Sequence, residues 1–310
     1  MKKLVILCLA ILTFASKAQE DPRWIRYQSI SPDGQTIAFT YMGDLYTVAT
    51  TGGDAKQITF HKAHDYMPVW SADSKHLAFA SNRYGNFDVY LMEAKGGPAT
   101  RLTFHSADER PYSFSHDGNA LIFGAARMDL AEHRQFPSGG QTELYSVPVT
   151  GGRVNQIFTI PAEYVQISAD GNTMIYHDKP GGENEWRKHH TSSVTRDIWS
   201  YDKTTDKHQM LVTWKGEDRQ PVFTSDEKGF YYLSEEGGSF NVHKTSFADP
   251  NNNQQLTSFE LHPVRFLSYG SGTLAFGYDG ELYTMQEGSE PQKVSVNIIR
   301  QDIDNSDSFI

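Results

Sequence analysis

Apolar positions in this chain fall into short runs that return with a period of about 40 residues. Each return has the same parts: a turn built on Ser and Asp, an apolar triplet, and a second run that opens on Asp, Glu or Asn and carries Tyr, Trp or His. The turns are Ser31-Pro32-Asp33-Gly34, Ser71-Ala72-Asp73, Ser115-His116-Asp117-Gly118, Ser168-Ala169-Asp170-Gly171, Ser225-Asp226 and a worn Ser268-Tyr269-Gly270. The triplets that follow are Ile37-Ala38-Phe39, Leu77-Ala78-Phe79, Leu121-Ile122-Phe123, Met174-Ile175-Tyr176, Phe230-Tyr231-Tyr232 and Leu274-Ala275-Phe276. The later runs are centred on Leu45-Tyr46, Val89-Tyr90, Leu144-Tyr145, Ile198-Trp199, Val242-His243 and Leu282-Tyr283. Four short strands per period describe a propeller blade, and six ordered copies predict an all-β, six-bladed β-propeller of four-stranded antiparallel blades. A sheet of this size cannot bury both faces alone; stacking around a closed ring buries them for every blade.

The pattern also predicts how the ring ends meet. Blade one supplies four strands of its own from about residue 27 to 60, and blade six ends with its own outer strand near residues 292–296. The expectation is a junction held mainly by side chains, which opens more readily than the others.

Strand direction alternates within a blade, which sorts the loops onto two faces. The Ser-Asp turns keep one face short and regular. The opposite face receives every long segment: His61-Lys62-Ala63-His64-Asp65, His105 to Arg110, an insertion from Arg127 to Thr142, and another from Lys179 to Arg196. Long loops on a rigid scaffold are where binding is concentrated. The candidate binding residues are therefore His64, Asp65, Asp108, Arg110, Trp186, Arg187, His189, His190 and Arg196. A packing role for the last insertion, with Trp186 as a plug against a neighbouring blade, is the competing reading.

The first residues lie outside the ring. Lys2 and Lys3 precede an apolar stretch from Leu4 to Phe14, and Ala15-Ser16-Lys17-Ala18 supplies a small-residue cleavage site. Residues 1–18 read as a secretory signal peptide too short to span a membrane, residues 19–300 as the propeller, and 301–310 as a tail or linker. Periplasmic or secreted localisation follows. The one cysteine, Cys8, lies in the leader, so the mature chain contains no disulfide. Cleavage removes three lysines and no acid, moving the net charge from −10 to −13. Such a surface repels nucleic acid and anionic lipid.

Catalytic chemistry is not legible. The chain has no Gly-x-Ser-x-Gly elbow and no phosphate-binding glycine loop, and Glu235-Glu236 sits in a solvated turn. His61-x-x-His64-Asp65 gives a loose pair where zinc needs three or four convergent ligands, so neither a metal nor a cofactor is expected.

The phrases Ala-Phe-Ala-Ser-Asn-Arg-Tyr-Gly-Asn-Phe-Asp-Val-Tyr (78–90) and Gly-Gly-Pro-Ala-Thr-Arg-Leu-Thr (96–103) resemble the repeats of TolB and its relatives. Ser31 to Tyr46 directly after a leader, Asp108-Glu109-Arg110-Pro111, and the run from Trp186 to Trp199 more narrowly resemble the N-terminal six-bladed propeller of secreted tricorn protease homologues. In that family a second propeller, a PDZ domain and serine-peptidase domains follow, and the six-bladed ring is regarded as a gate or passage for peptides. No position here matches a family catalytic residue, so none is carried over. The resemblance implies a peptide-handling module whose partners are peptides or the PDZ and peptidase domains of the same protease. A TolB-like envelope scaffold and a saccharide-acting propeller enzyme are the alternatives; the latter needs convergent carboxylates in the tunnel, and no such set is visible.

Overall fold

In the computed structural model the described residues are 22–127, 141–180, 186, 189, 191–212 and 214–298. The segment expected to be a signal peptide, most of the blade-three insertion, Arg187, His190 and the residues expected to form a C-terminal tail lie outside them. Blade one contains β1 (Arg26–Ile30), β2 (Thr36–Tyr41), β3 (Asp44–Ala49) and β4 (Gly53–Gln57). Blade two contains β5 (Asp65–Trp70), β6 (His76–Ser81), β7 (Asp88–Glu93) and β8 (Thr100–Arg101). Blade three contains β9 (Glu109–Phe114), β10 (Ala120–Ala125), β11 (Glu143–Pro148) and β12 (Asn155–Phe158). Blade four contains β13 (Glu163–Ile167), β14 (Thr173–His177), β15 (Ile198–Asp202) and β16 (Lys207–Met210). Blade five contains β17 (Asp218–Phe223), β18 (Gly229–Ser234), β19 (Asn241–Ser246) and β20 (Gln254–Gln255). Blade six contains β21 (Arg265–Gly270), β22 (Thr273–Tyr278), β23 (Glu281–Gln286) and β24 (Gln292–Lys293), and β25 (Val296–Ile298) follows.

Each blade is an antiparallel meander, so the fold is the expected all-β, six-bladed propeller. First strands lie beside one another around the axis, from β1 through β5, β9, β13 and β17 to β21 and back to β1. The apolar triplets do what their spacing implies. Phe39, Phe79, Phe123, Tyr176, Tyr232 and Phe276 are all buried, and each faces the aromatic or histidine ring of the third strand across the ladder. Phe79 and Tyr90 stack at 5.6 Å and Phe276 and Tyr283 at 6.1 Å. Each such ring contributes about 1.5–3 kcal/mol by burial, with a further increment from the aromatic pair. The apolar clusters span neighbouring blades, as in the one joining Phe39 and Tyr46 of blade one to Ala275 and Leu282 of blade six.

The Ser-Asp turns share one hydrogen-bond scheme. The hydroxyl of Ser31, Ser71, Ser115 and Ser168 donates to the Asp two residues on, at 2.5 to 2.6 Å, and accepts the amide that opens the second strand. In blade five that hydroxyl belongs to Thr224, not to Ser225. Blade six departs further: Ser268 to Gly270 form the end of β21, and the turn is Ser271-Gly272. Gly34 needs its missing side chain twice over. Its φ is +73°, and a Cβ would lie 2.9 Å from the Cβ of Ser271 in blade six.

Ring closure differs from the expectation. The outer strand of blade six stops at Lys293, and β25 crosses to the outer edge of blade one. There it runs parallel to β4, with Val296 opposite Gly53 and Ile298 opposite Ala55. Gly53 N donates to Ser295 O at 2.9 Å, and Asn297 Nδ2 donates to Asp54 at 2.7 Å. The junction therefore carries a backbone ladder as well as side chains, and Val296 is buried within it.

Candidate functional site: the loop-rich face

Every first strand begins on the loop-rich face, and in blades two to four it begins with an acid locked to a base. Asp65, fully buried, accepts from Arg83 at 2.9 Å. Glu109 holds Arg127 in the same way. Glu163 meets Lys179 at 3.0 Å and Arg196 at 3.8 Å. Burial alone would raise the Glu163 carboxyl, but hydrogen bonding from His177 and the charges of Lys179 and Arg196 hold it far below the usual range. Arg196 also donates to Glu217 at 2.6 Å, tying blade four to blade five. Burial pushes His177 down to about 4, so its imidazole is neutral and its Nδ1 accepts from Gln220 N. Gln220 in turn accepts from Leu267 N, linking blades four, five and six. Blade five breaks the pattern, because Glu235 and Glu236 stand where the base would be. There burial pushes the Asp218 carboxyl far up.

The axis carries a second repeated feature. Tyr27, Met67, Tyr164, Gln220 and Phe266 occupy a left-handed bulge in the first strands of five blades, with φ between 52° and 58°. In blade three Pro111 takes the matching place and the bulge shifts to Tyr112. Left-handed backbone at bulky residues costs roughly 1–3 kcal/mol each, and here the register on either side fixes it. Tyr27, Met67, Pro111, Tyr164 and Phe266 form one end of an axial cavity of about 560 Å³ that extends to the Ser-Asp turns.

At the loop-rich end the axis is covered. Trp186 belongs to the blade-four insertion, yet its ring lies 6.2 Å from Phe266 of blade six and 5.0 Å from the Arg26 guanidinium of blade one. Blades four and one face each other across a six-membered ring, so this contact places Trp186 over the axis. The packing is on the opposite side of the ring, not on a neighbouring blade.

The remaining candidates divide by environment. Asp65 and Arg196 are interior ion-pair partners. Asp108 is exposed and accepts from Phe87 N at 3.0 Å, fixing the connection into blade three. Arg110 pairs with Gly124 in the β9–β10 ladder and is half-buried. His189 is exposed, and its amide donates to Glu235. His64 packs edge-on against Tyr66 and Phe87, and burial pulls its imidazole below the usual value. It lines a cavity of about 660 Å³ beside blades one and two, with Trp24, Arg26, Tyr27, Met42, Asp44, His61, Lys62, Tyr66 and Phe87. His61 accepts from Ala63 N within its own turn. Among the described residues, no three His, Cys, Asp or Glu side chains converge on a metal-sized site, and no helix is long and apolar enough to cross a membrane.

Apolar exposure is strongly one-sided. Among the described residues the large apolar side chains left exposed are Trp24, Met42, Phe60, Tyr84, Phe104, Ile160, Trp186, Met210 and Leu261. All but Met210, which ends the outer strand of blade four, sit in loops of the loop-rich face. The sequence points to this face through its loop lengths and to Trp186 within it, but not to the other exposed residues, because a lone aromatic in a loop carries no periodic signal. The Arg-aromatic alternation of Arg23-Trp24-Ile25-Arg26-Tyr27 was the one available clue.

Comparison with known proteins fits this architecture. The family model described as the tricorn protease N-terminal beta propeller domain matches residues 22–291. The chain belongs to that family. Among solved structures, the tricorn protease superposes with a TM-score of 0.73 at 19% identity, over 88% of this chain and 26% of that one. TolB from Acinetobacter baumannii gives a TM-score of 0.60 at 22% identity, over 80% of this chain and 57% of that one. At these identities the likeness is one of fold. Dipeptidyl-peptidase 5 of Porphyromonas gingivalis is 34% identical over 71 residues, 20% of this chain and 10% of that protein. The chain thus spans about a tenth of the curated relative and about a quarter of the tricorn protease.

Proposed function

We propose that this propeller is a non-catalytic module of a tricorn-type serine peptidase that docks peptides and partner domains on its loop-rich face. One observation carries the reading: the exposed large apolar side chains gather on that face, around an axis capped by Trp186. Exposed apolar surface concentrated on one face of a protein marks interaction sites, and aromatic side chains are enriched where proteins meet. The buried acid–base pairs beneath, Asp65 with Arg83 and Glu163 with Arg196, hold the loop bases rigid and cut the ordering cost of binding. Family membership supports the link to peptide handling. With Trp186 over the axis, docking fits this face better than free passage through it. The reading of residues 1–18 as a leader places the module in the periplasm or outside the cell.

The test is to incubate the purified mature chain with casein-derived peptides and to measure binding and turnover separately. Binding without turnover is the expected result. Turnover that survives stringent purification overturns the non-catalytic assignment, and absence of both moves the weight to a TolB-like scaffold that meets proteins only.

A further inference from the structure

We propose that the cavity beside blades one and two is a binding site for a carboxylate with an apolar neighbour, with Arg26 as the anion's partner. The proposal rests on the loop-rich face being the peptide-binding face, and it assigns the ligand chemistry of one place on it.

Arg26 stands apart from the arginines of the buried ion pairs. Arg83, Arg101, Arg127, Arg196 and Arg219 each pair with a carboxylate. Arg26 is half-buried at the start of β1, and among the described residues no carboxylate pairs with it. In a chain of net charge −10 acids are in surplus, yet half-buried Arg26 has none beside it; Arg23 and Arg153, which also lack a carboxylate among the described residues, are exposed. Its guanidinium lies instead between two indoles, 5.1 Å from the Trp24 ring and 5.0 Å from the Trp186 ring. Stacking engages the faces of the guanidinium plane, and the N–H groups at its edge are those that form the two-pronged bond to a carboxylate. Lys62 and His61 add positive or protonatable groups to the lining. The lining contains one acid, Asp44, whose oxygens already accept from Gln57 and Thr59.

The rest of the cavity suits an apolar group. Tyr66 lies 5.2 Å from Tyr27 and 4.7 Å from Phe87, both edge-on, and His64 closes the cluster. A ligand with its carboxylate at Arg26 and its neighbouring side chain against Tyr66 and Phe87 uses both halves. Two peptide groups have this chemistry: a free C-terminus after an apolar residue, and an acidic side chain next to one.

Binding to the full mature chain by titration calorimetry distinguishes them with three probes: Ac-Ala-Leu-Phe as the free acid, the same peptide as its amide, and Ac-Glu-Leu-Phe amide. The site requires that at least one carboxylate probe bind about tenfold more tightly than the Ala-Leu-Phe amide, the scale of a charge-assisted hydrogen bond. The free acid leading identifies the C-terminus as the source, and the glutamyl amide leading identifies the acidic side chain. Arg26→Gln is expected to erase the discrimination. Ala63→Trp, placed in a cavity-lining loop rather than a strand, is expected to block all three probes while leaving the strand circular dichroism unchanged. Equal binding of acid and amide, or discrimination that survives Arg26→Gln, overturns the proposal. If casein peptides bind but the probes show no preference, this site is wrong and the docking reading stands; if no peptide of any kind binds, both fail.

Discussion

The guanidinium carbon of Arg265 sits 4.6 Å from the centre of the Trp186 indole, and Arg265 Nη2 donates to the Trp186 carbonyl at 3.4 Å. With Arg26 on blade one, this makes Trp186 the one described residue of the blade-four insertion joined to both blades six and one. Trp186→Ala removes two cation–π contacts and the ring contact with Phe266. The expected cost is about 1–2 kcal/mol. Faster hydrogen exchange should appear at Phe266 and Leu267, with the outer strands unaffected. Unchanged exchange there would show that the indole does not cover the axis.

Arg196 is the most consequential charge in the ring, because it serves Glu163 of blade four and Glu217 at the entry to blade five. Arg196→Met leaves two buried carboxylates short of a partner. Loss of about 3–5 kcal/mol in chemical denaturation is expected. A loss below about 1 kcal/mol, the range of surface pairs, would contradict the burial of this network.

Ring closure gives a third prediction. Val296 is buried where β25 meets β4, and Val296→Ala should cost about 2 kcal/mol. In the unmodified chain, amide exchange across residues 53–57 should be as slow as in the other blade edges; fast exchange would restore the loosely held junction expected from sequence.

Asp197 supplies the pH dependence. Burial, with the charges of Asp178 and Glu217, pushes its carboxyl up to about 6 from the ordinary 3.8. Between these values the folded chain holds a proton that the unfolded chain has released, so raising the pH through this window lowers stability. Asp197→Asn lacks this term. Its advantage over the parent should be absent below about pH 4, grow to pH 6, and level off near 1 kcal/mol after allowing for the partial exposure of the group. Urea midpoints at pH 4, 5, 6 and 7 measure it, and a constant difference across the range would refute it.

How much of this was legible in the sequence depends on how local the determining contacts are. Phe79 and Tyr90 face each other because a hairpin joins them, so spacing alone reveals the pair. The Ser71–Asp73 turn is likewise written in adjacent residues. Closure by Val296 to Ile298 was not legible: three residues pair with a strand more than 240 positions away, and no local pattern announces a parallel partner. The left-handed bulges were equally silent, since Tyr27, Met67 and Phe266 are residue types that avoid that conformation and are held there by strand register. For the site, loop length located the face, but it could not separate Asp65 and Arg196, buried in ion pairs, from exposed Asp108 or His189. The recurrence of a base 16 to 18 residues after the acid, as in Asp65–Arg83, Glu109–Arg127 and Glu163–Lys179, was the signal that would have identified the interior pairs.

Hydrogen exchange of residues 19–310, with and without a saturating casein-derived peptide mixture, tests the docking face most directly. The expected result is new protection in residues 61–65, 82–87 and 104–110, which belong to the loop-rich face. Protection confined to the Ser-Asp turns at residues 31–34, 71–74 and 115–118 would place binding at the opposite end of the ring and contradict the proposed function.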